Sequence, residues 1–235
     1  MRIDKLISSM GIATRREIAQ NAKRGLVLVD GVPVRDPSRH IDPETNVVSY
    51  LGEVLTYREF VYIMLNKPEG YVSATDDPRL PYVLELLPER YRKMGLFPVG
   101  RLDRDTTGLM ILTNNGPLSH ALLSPKHHVQ KEYRFSSEHP LSPDAETRFA
   151  EGITLDGGEL CKSARLIADA DRMGGVIVLT EGKYHQIKRM LEAIDNRIVR
   201  LERIRFGTIP LDPALARGEF RELTAEEIRT LENQK

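Results

Sequence analysis

The stretch from Gly100 to Gly116, GRLDRDTTGLMILTNNG, joins a charged loop to an apolar strand and a turn. Leu109–Thr113 is apolar enough for a buried strand, and the Asn-Asn-Gly sequence behind it is typical of a turn. In front of the strand, Asp103 and Asp105 alternate with arginines. This loop is therefore the first candidate site, and the rest of the chain has to explain why carboxylates stand among cations.

Three roles are open to Asp103 from these residues alone. It could form an ion pair that tethers the loop, which is the commonest role of an aspartate beside an arginine. Together with Asp105 it could bind Mg²⁺, which proteins hold through one or two carboxylates plus substrate phosphates. It could also be a nucleophile or base that neighbouring cations keep ionised.

The composition indicates an ordinary globular protein. The chain has 235 residues, 40% of them hydrophobic and 29% charged, enough for one large domain or two smaller ones. Its one cysteine, Cys161, excludes an internal disulfide and a cysteine-rich zinc site. The N-terminus lacks the apolar core of a signal peptide, and no window approaches the roughly 18 apolar residues of a transmembrane helix. We expect a soluble, cytoplasmic protein with no membrane partner, and a monomer by default.

Charge is distributed unevenly along a chain whose net charge is zero. Residues 1–40 hold eight Lys and Arg against four acids, and residues 183–205 hold seven against three. The tail from Phe206 onward is acidic. Local basic faces on a neutral protein are typical of one that touches phosphates with part of its surface.

The first fifty residues predict a compact unit. Apolar spacing predicts a short helix, and a Thr-x-x-Glu capping box at Thr14 predicts the start of a second. LVLVDGVPV predicts a hairpin that turns at Asp30-Gly31, and Asn46–Tyr50 predicts a further strand. Leu51–Glu59 is expected to be a short linker, which places the first domain at residues 1–59.

Residues 60–235 predict a larger domain in which strands and helices mix without strict alternation, as in α+β folds. The predicted strands are FVYIMLN, Leu109–Thr113, Lys131–Ser136, Leu160–Leu166, Val176–Thr180 and Arg197–Phe206. The predicted helices are Leu118–Leu123, Asp144–Glu151, His185–Ala193 and one from Thr224. The fold class is therefore α+β, with a small helix–helix–hairpin domain followed by the larger one.

Two further segments concentrate polar side chains where an RNA base could be received. EGKYHQIKRM places five of them at a turn that enters a helix: Lys183, His185, Gln186, Lys188 and Arg189. KEY, residues 131–133, sets the Tyr133 ring beside cations such as Lys131, as expected where an unstacked base is bound. Acids are scarce near these segments, and His120, His127 and His128 lack the spacing of a helical zinc pair, so no metal site is expected.

The first unit resembles the small RNA-binding domain first seen in ribosomal protein S-four, also called the αL motif. The resemblance rests on MRIDKLISSMGIATRREIAQNAKRGLVLVDGVPVRD, where a helix, RR, KRG and VDG follow in order. It implies that six basic residues face phosphates of structured RNA: Arg2, Lys5, Arg15, Arg16, Lys23 and Arg24. Such contacts provide affinity and positioning rather than sequence choice. Without the resemblance, the same side chains are an ordinary solvated helix face.

Nearly the whole chain resembles the RsuA family of bacterial ribosomal-RNA pseudouridine synthases. GRLDRDTTGLMILTNNG, KEY and EGKYHQIKRM occur in the family's order, and NKPEGYVSATDD, SPKHH and LERIRFG also match. The resemblance implies a catalytic domain with a mixed, mainly antiparallel sheet, which isomerises a uridine without cofactor or metal. SPKHH together with YHQIKRM is most similar to the branch that acts on small-subunit (16S) ribosomal RNA. The implied partner is ribosomal RNA or a partly assembled small ribosomal subunit.

The resemblance also implies roles for individual residues. Asp103 would be the catalytic aspartate, which attacks or stabilises the sugar's anomeric centre while the base detaches, rotates and rejoins through carbon. Tyr133 would pack on the base as a candidate for proton transfer, and Lys188 would pair with Asp103. Leu201 would floor the pocket, and Arg101 would fill the gap left by the extracted uridine, because chemistry at the ring requires a flipped base.

Two other classes of function compete with this interpretation. A non-catalytic RNA-binding protein of ribosome assembly would explain the basic faces, but it leaves GRLD, KEY and QIK without a reason to occur together. A metal-dependent nuclease that uses Asp103 and Asp105 would lose activity with a chelator, whereas an isomerase would not. In the synthase interpretation, Asp105 serves at most as a structural hydrogen-bond acceptor.

Overall fold

The computed structural model describes residues 1–124 and 126–234. Its chain forms two compact units, one of Met1–Val61 with Leu84–Phe97 and one of Tyr62–Val83 with the chain from Pro98 onward. The domain limits inferred above, 1–59 and 60–235, stay a prediction. Pro125, the second residue of the SPKHH motif, lies outside the described residues.

Two helices and a four-stranded antiparallel sheet make up most of the first unit. The sheet has the strand order β2-β1-β3-β4. The elements are α1 (Ile3–Ser9), α2 (Arg15–Lys23), β1 (Val27–Val29), β2 (Val32–Pro33), β3 (Val48–Tyr50) and β4 (Glu53–Leu55). The second segment of this unit carries the short helix α3 (Glu89–Arg92), which follows a 3-10 turn at Val83–Leu86.

The predicted capping box starts α2 as expected. The Thr14 hydroxyl accepts a hydrogen bond from the Glu17 amide (3.3 Å), and the Glu17 carboxylate accepts one from the Thr14 amide (2.7 Å). The apolar side of the helix, Ile18 and Ala22, is fully buried in a core that α1 and the sheet share. Burial of this one face leaves the basic side chains of α2 in solvent.

The linker predicted at Leu51–Glu59 is wrong for its first half, because Glu53–Leu55 forms β4 against β3. The chain reverses at Leu51 and Gly52, whose φ angles are 54° and 87°. A two-residue hairpin turn with positive φ at both positions usually carries Asn-Gly or Asp-Gly. Leucine at the first position hid this turn from the sequence pattern.

A nine-stranded sheet forms the second unit. Its main path runs β13-β5-β7-β11-β8-β10-β9, and β6 and β12 pair with β7 and β11. The strands are β5 (Tyr62–Lys67), β6 (Phe97–Pro98), β7 (Thr107–Thr113), β8 (Lys131–Ser137), β9 (Arg165–Ala168), β10 (Gly174–Leu179), β11 (Ile198–Phe206), β12 (Ile209–Pro210) and β13 (Phe220–Glu222). The helices are α4 (Gly116–Leu123), α5 (Ala145–Glu151), α6 (Gln186–Glu192) and α7 (Ala225–Glu232).

The sheet is mixed and mainly antiparallel, which confirms the predicted fold class. On its main path β7 and β11 run parallel, and every other neighbouring pair is antiparallel. Leu109–Leu112 of β7 is at most 1% exposed, so this strand lies inside the core as its sequence predicts. Among the described residues, no helix is both long and apolar enough to cross a bilayer.

One predicted strand of this unit is largely misplaced. Leu160–Leu166 was expected to be a strand, but β9 begins at Arg165, and the segment before it makes only an isolated bridge between Leu160 and Thr154. Leu160 is 63% exposed, so this apolar residue is not part of the core. A short segment that mixes apolar and polar residues becomes a strand only where a neighbouring strand is available to pair with it.

Candidate active site

A cleft of about 1150 Å³ opens beside the Asp103 loop in the second unit. Asp103 comes from the loop before β7, Tyr133 from β8, Leu201 from β11 and Lys188 from α6, and all four line this cleft. Residues that are up to 98 positions apart in the chain thus meet at one place. The structure brings together the residues that the resemblance assigns to catalysis.

The backbone on both sides of Asp103 is fixed by side chains from the NKPEGYVSA segment. Ser73 Oγ donates to the Leu102 carbonyl (2.6 Å) and accepts from the Leu102 amide (2.9 Å). Lys67 Nζ donates to the carbonyls of Pro68 (3.1 Å), Arg104 (3.2 Å) and Thr106 (2.8 Å). These hydrogen bonds fix the backbone on both sides of the Asp103 carboxylate, and such support suits a functional group that needs a defined position.

Lys67 is buried completely although it carries a basic group. Burial lowers its pKa to about 8, and the nearby charges of Asp105 and Asp103 oppose that shift. Lys67 lies in the NKPEGYVSATDD segment that matches the family, but its position at the end of an apolar strand predicts a solvated cation, so it was not predicted as a site residue. Its three carbonyl acceptors come from residues next to it and from the Asp103 loop, a juxtaposition that only the fold creates.

Lys188 bridges the two carboxylates of the loop. Its Nζ lies 2.6 Å from Asp105 Oδ1 and 3.1 Å from Asp103 Oδ2. Burial by itself lowers the pKa of Lys188, but the hydrogen bonds and charges of Asp105 and Asp103 outweigh it, so the pKa lies above its usual value. Burial by itself raises the pKa of Asp105, but the hydrogen bond and charge of Lys188, with smaller contributions, outweigh it, so this pKa lies below its usual value. Lys188 is therefore a protonated cation at the edge of the cleft.

His185 lies next to this ion pair, at the start of α6. Its φ is 47°, a left-handed conformation that costs a non-glycine residue free energy, and its Nε2 is 3.6 Å from Asp103 Oδ1. The Tyr184 ring stacks on the His185 ring with centroids 3.8 Å apart, and Tyr184 is 70% exposed. Sequence reasoning missed Tyr184, although an aromatic residue inside a dense polar segment was the available signal.

The strands β8 and β11 supply the wall of the cleft. Arg203 pairs with Tyr133 across the two strands, and Leu201 pairs with Phe135. Because alternate residues of a strand share a face, Leu201 and Arg203 lie on the side of the sheet that carries Lys131 and Tyr133. All four of these residues line the cleft, and Arg203, which is 1% exposed, was not predicted as a site residue.

The other residues of the second unit that are predicted to contact RNA differ in exposure and in the bonds that their side chains already make. Arg101 is exposed and lines the cleft. Lys183 binds Glu159 (3.2 Å) and the Leu160 carbonyl (2.6 Å), and Arg189 also binds Glu159 (3.1 Å). The Gln186 amide is 5% exposed and binds the Lys183 amide and Glu181. The predicted RNA contacts of these residues and of Lys131 and His185 stay predictions.

The basic residues predicted to bind RNA in the first unit are on its surface. Lys5, Arg15, Arg16, Lys23 and Arg24 are exposed. Arg2 is exposed as well, but it forms an ion pair with the buried Asp4 (2.7 Å). That ion pair holds Arg2 against α1, and the remaining five side chains keep their charges available to an external anion.

The donor set does not suggest a metal site. Within residues 1–124 and 126–234, His, Cys, Asp and Glu side chains form no group of three or more that could hold a metal ion. The carboxylates of Asp103 and Asp105 are instead joined through the Lys188 ammonium. A single cation of the protein thus stands where the two acids converge.

Comparisons with known proteins agree with this geometry. Residues 61–193 match the family model described as RNA pseudouridylate synthase, and residues 1–47 match the S4 domain. The chain is 43% identical over 234 residues to an uncharacterized RNA pseudouridine synthase, YtzG, of Bacillus subtilis, covering 98% of both chains. It is 41% identical over 233 residues to the ribosomal small subunit pseudouridine synthase A of Escherichia coli K12, covering 98% of this chain and 100% of that one.

A solved structure supports the same assignment. A crystal structure of a pseudouridylate synthase is 37% identical in sequence and superposes with a TM-score of 0.70, covering 98% of this chain and 99% of that chain. The match includes both the S4 domain and the mixed sheet that carries the cleft. The chain therefore belongs to the RsuA family of RNA pseudouridine synthases, and it is an isomerase of RNA uridine.

Proposed function

We propose that the protein converts one uridine of small-subunit ribosomal RNA to pseudouridine, with Asp103 as the catalytic carboxylate. The observation that carries this proposal is the position of Asp103, held by Ser73 and Lys67 at the cleft and bonded to Lys188. The choice of ribosomal RNA follows the names of the Escherichia coli and Yersinia pestis relatives, which are 41% identical over nearly the whole chain.

Base flipping brings the uridine to this carboxylate. The target atoms of a base inside a helix are out of reach, so the nucleotide has to leave the stack and enter the cleft. Tyr133 and Leu201 supply apolar surface on which the ring packs, and the exposed Arg101 is available to fill the vacated place in the RNA. The unstacking free energy is offset by these contacts and by phosphate contacts elsewhere on the protein.

Asp103 acts at the sugar. As the bond between C1′ and N1 weakens, positive charge develops at C1′, and the ionised carboxylate either attacks that carbon or stabilises it electrostatically. Lys188 orients the carboxylate through its 3.1 Å contact and is itself oriented by Asp105. Tyr133 packs on the ring and is the candidate for moving a proton during rearrangement.

The proposed reaction needs no metal ion. A divalent cation shared by Asp103 and Asp105 would have to displace the Lys188 ammonium, which lies 2.6 Å from one carboxylate and 3.1 Å from the other. The chemistry is an isomerisation in which the same atoms are rejoined, so no group has to be supplied from outside. We therefore expect a chelator to leave the rate unchanged.

The first unit provides the RNA affinity in this proposal. Five exposed basic side chains on and beside α1 and α2 (Lys5, Arg15, Arg16, Lys23 and Arg24) are suited to phosphate oxygens. The partner is ribosomal RNA, either free or in a partly assembled small subunit. A ribosomal RNA substrate implies that the protein acts in the cytoplasm, and we expect it to act there as a monomer.

Tritium release from small-subunit ribosomal RNA labelled at uridine C5 tests the proposal, because C5 loses its hydrogen when it bonds to the sugar. We expect release with the wild type, unchanged release with chelator, and none with Asp103→Asn. Release that stops with chelator would contradict the metal-free mechanism. Absence of release by the wild type from free RNA and from partly assembled particles would contradict the choice of substrate, and large-subunit RNA would then be tested.

A further inference from the structure

Arg203 is a buried cation at the wall of the cleft. Among the described residues, no carboxylate forms an ion pair with it. Its Nε donates to the Leu109 carbonyl (2.8 Å), and its guanidinium carbon lies 5.4 Å from the centre of the Phe206 ring. Its Nη2 is buried without a hydrogen-bond partner. A buried charge is normally paired, because desolvation without compensation is costly.

Two other residues that line the same cleft have polar groups with few or no hydrogen-bond partners. Thr106 Oγ1 is buried without a hydrogen-bond partner. Lys131 Nζ donates to the Val129 carbonyl (3.1 Å) and lies 5.8 Å from the centre of the Phe206 ring. Burial, and secondly the charge of Arg203, lower the pKa of Lys131 to about 8. The cleft wall therefore concentrates positive charge that the described part of the protein leaves uncompensated.

The reaction itself produces an anion at this place. When the bond between C1′ and N1 breaks, its electron pair stays on the ring, and the uracil carries a negative charge spread over N1, O2 and O4. We infer that Arg203 and Lys131 form a cationic wall that stabilises this uracil anion while it is detached from the sugar. The inference rests on the proposed function, since it deepens the chemistry of the same cleft.

A uracil ring fits this wall better than a phosphate does. Arg203 is the cross-strand partner of Tyr133, and Leu201 lies two residues before it on the same face. Apolar surface for a flat ring thus adjoins the two cations, and a hydrated phosphate would lose its water there without direct partners. Because Nη2 is covered, Arg203 acts through its electric field, which is strong in a site of low dielectric.

The step balances without another reactant. Bond cleavage leaves an electron-deficient C1′ at Asp103 and the electron pair on uracil, which then rotates within the cleft. The C5 atom donates an electron pair to C1′, and the new carbon–carbon bond forms. The new bond cancels the two charges. The C5 proton then passes to solvent, with the Tyr133 hydroxyl as the candidate carrier, and N1 takes up a proton from solvent, which gives the neutral product. The cationic wall lowers the free energy of the detached stage, where rotation has to occur before the ring recombines.

Binding of barbiturate, an anionic 6-hydroxy analogue of uracil, tests the inference without any RNA. Calorimetric titration would compare barbiturate with neutral uracil on the full-length wild type, Arg203→Met and Arg203→Lys. We expect the wild type to bind barbiturate at least about tenfold more tightly than uracil, Arg203→Met to lose this preference and Arg203→Lys to retain it. Equal affinities in the wild type, or an unchanged preference in Arg203→Met, would overturn the inference.

Lys131→Met is the second variant, in case Arg203→Met does not fold. Lys131 is only partly buried, so its replacement is less disruptive, and we expect the barbiturate preference to fall several-fold. In Asp103→Asn, which lacks the acid, the preference should persist or increase. A preference that disappears in Asp103→Asn but survives in Lys131→Met would assign anion binding to another part of the cleft and overturn the inference.

Kinetics separate an electrostatic role of Arg203 from a packing role. Loss of one group that stabilises developing charge typically lowers kcat by about 10²–10³-fold. We expect such a loss in Arg203→Met, with little change in KM, and substantial recovery in Arg203→Lys. An equal loss in both variants would indicate packing and contradict the inference. If the wild type forms no pseudouridine in any ribosomal RNA, the proposed function fails, whereas the barbiturate titration still decides the role of Arg203.

Discussion

Lys188 contacts the carboxylates of Asp103 and Asp105 at once, but the two acids differ in exposure, and we expect different roles for them. The Asp105 side chain is 61% exposed and that of Asp103 29%, so Asp103 is the acid that belongs to the cleft. In Asp105→Asn, Lys188 keeps its contact with Asp103, and we expect single-turnover rates within about tenfold of the wild type. In Asp103→Asn, we expect no product.

The comparison of these two variants is a matched one, because both replace a carboxylate by an isosteric amide beside the same lysine. Pseudouridine formation would be measured on one RNA, and unfolding curves would verify that both variants are folded. Inactivity of Asp105→Asn in a folded protein would show that both carboxylates are needed for the chemistry. The purely structural role expected for Asp105 would then be wrong.

Lys67 links the active-site loop to pH-dependent stability. Its pKa is about 8 in the folded protein, against 10.5 for a solvated lysine. Between these values the unfolded chain binds more protons than the folded one, so the contribution of Lys67 to the free energy of unfolding rises with pH. We expect the wild type to gain stability relative to Lys67→Met from about pH 8 to about pH 10.5, and the difference to be constant below that range.

Denaturant unfolding at a series of pH values would measure this effect. Lys23→Met is the control, because it removes the same group from an exposed position. Lys67→Met should also be less stable at neutral pH, since three carbonyl groups lose their donor. A stability difference between wild type and Lys67→Met that falls as pH rises would contradict the burial of a titrating lysine at this site.

The residues that sequence reasoning found and missed differ in physical kind. Asp103, Tyr133 and Lys188 occur in segments where charged, aromatic and turn residues crowd together, and that crowding is visible along the chain. Lys67 ends an apolar strand, and Arg203 is one of several charged residues of β11. In such positions a basic residue usually extends into solvent, although both lie in motifs that match the family. Their burial depends on which strands become neighbours, and no local pattern contains that information.

At the scale of elements, the parallel contact between β7 and β11 sets the position of the Asp103 loop. Gly108 has a φ of 99°, and a Cβ at this position would meet the Arg203 carbonyl oxygen and lie 2.9 Å from the Arg203 amide nitrogen. Because the obstacle is the backbone of the neighbouring strand, an added side chain has to push the two strands apart. We expect Gly108→Ala to destabilise the protein by about 2–4 kcal/mol and to lower kcat strongly.

Gly116→Ala is the matched control for this prediction. Gly116 lies in the first turn of α4, and a Cβ there meets nothing within 4 Å. Alanine favours a helix over glycine by up to about 1 kcal/mol, so this variant should be neutral or slightly stabilised. Equal stability of Gly108→Ala and Gly116→Ala in denaturant titration would show that the two strands are not held as closely as described.

Helices and strands were predictable from the sequence where neighbouring residues alone carry the signal. The Thr14 capping box depends on residues three positions apart, and the corresponding helix begins where the pattern places it. The strands β4 and β13 have three residues each and no alternating pattern of their own. They are strands because β3 and β5 offer unpaired edges, and edge pairing depends on the tertiary fold.

At the scale of the whole molecule, a net charge of zero conceals a division of charge that suits a protein of two units. The basic residues of the first unit are exposed, whereas the second unit holds three basic residues with little exposure at its cleft, Lys131, Lys188 and Arg203. Lys67 is buried behind the Asp103 loop. Exposed cations act on RNA by releasing counterions, and that effect weakens with salt. In the proposed mechanism, the cations of the cleft act on the reacting groups, and their burial means that salt screens them far less.

This division predicts that affinity and catalysis can be altered separately. Replacing Arg15 and Arg16 by alanine removes two exposed charges without touching the cleft. We expect the double variant to bind ribosomal RNA more weakly, and the slope of log affinity against log salt to flatten by about one for each phosphate that is no longer neutralised. The single-turnover rate at saturating RNA should remain within about twofold of the wild type, because the substrate then reaches the same cleft.

The double replacement by lysine is the matched control, since it keeps both charges while it changes the shape of the groups. It should retain most of the affinity and the full salt slope if the contacts are electrostatic. Affinity and slope would be measured by fluorescence anisotropy with labelled RNA over a range of salt concentrations. Unchanged affinity of the alanine variant would remove the first unit's helix face from the RNA interface, and a fall in the saturated rate would mean that this face also helps to place the uridine.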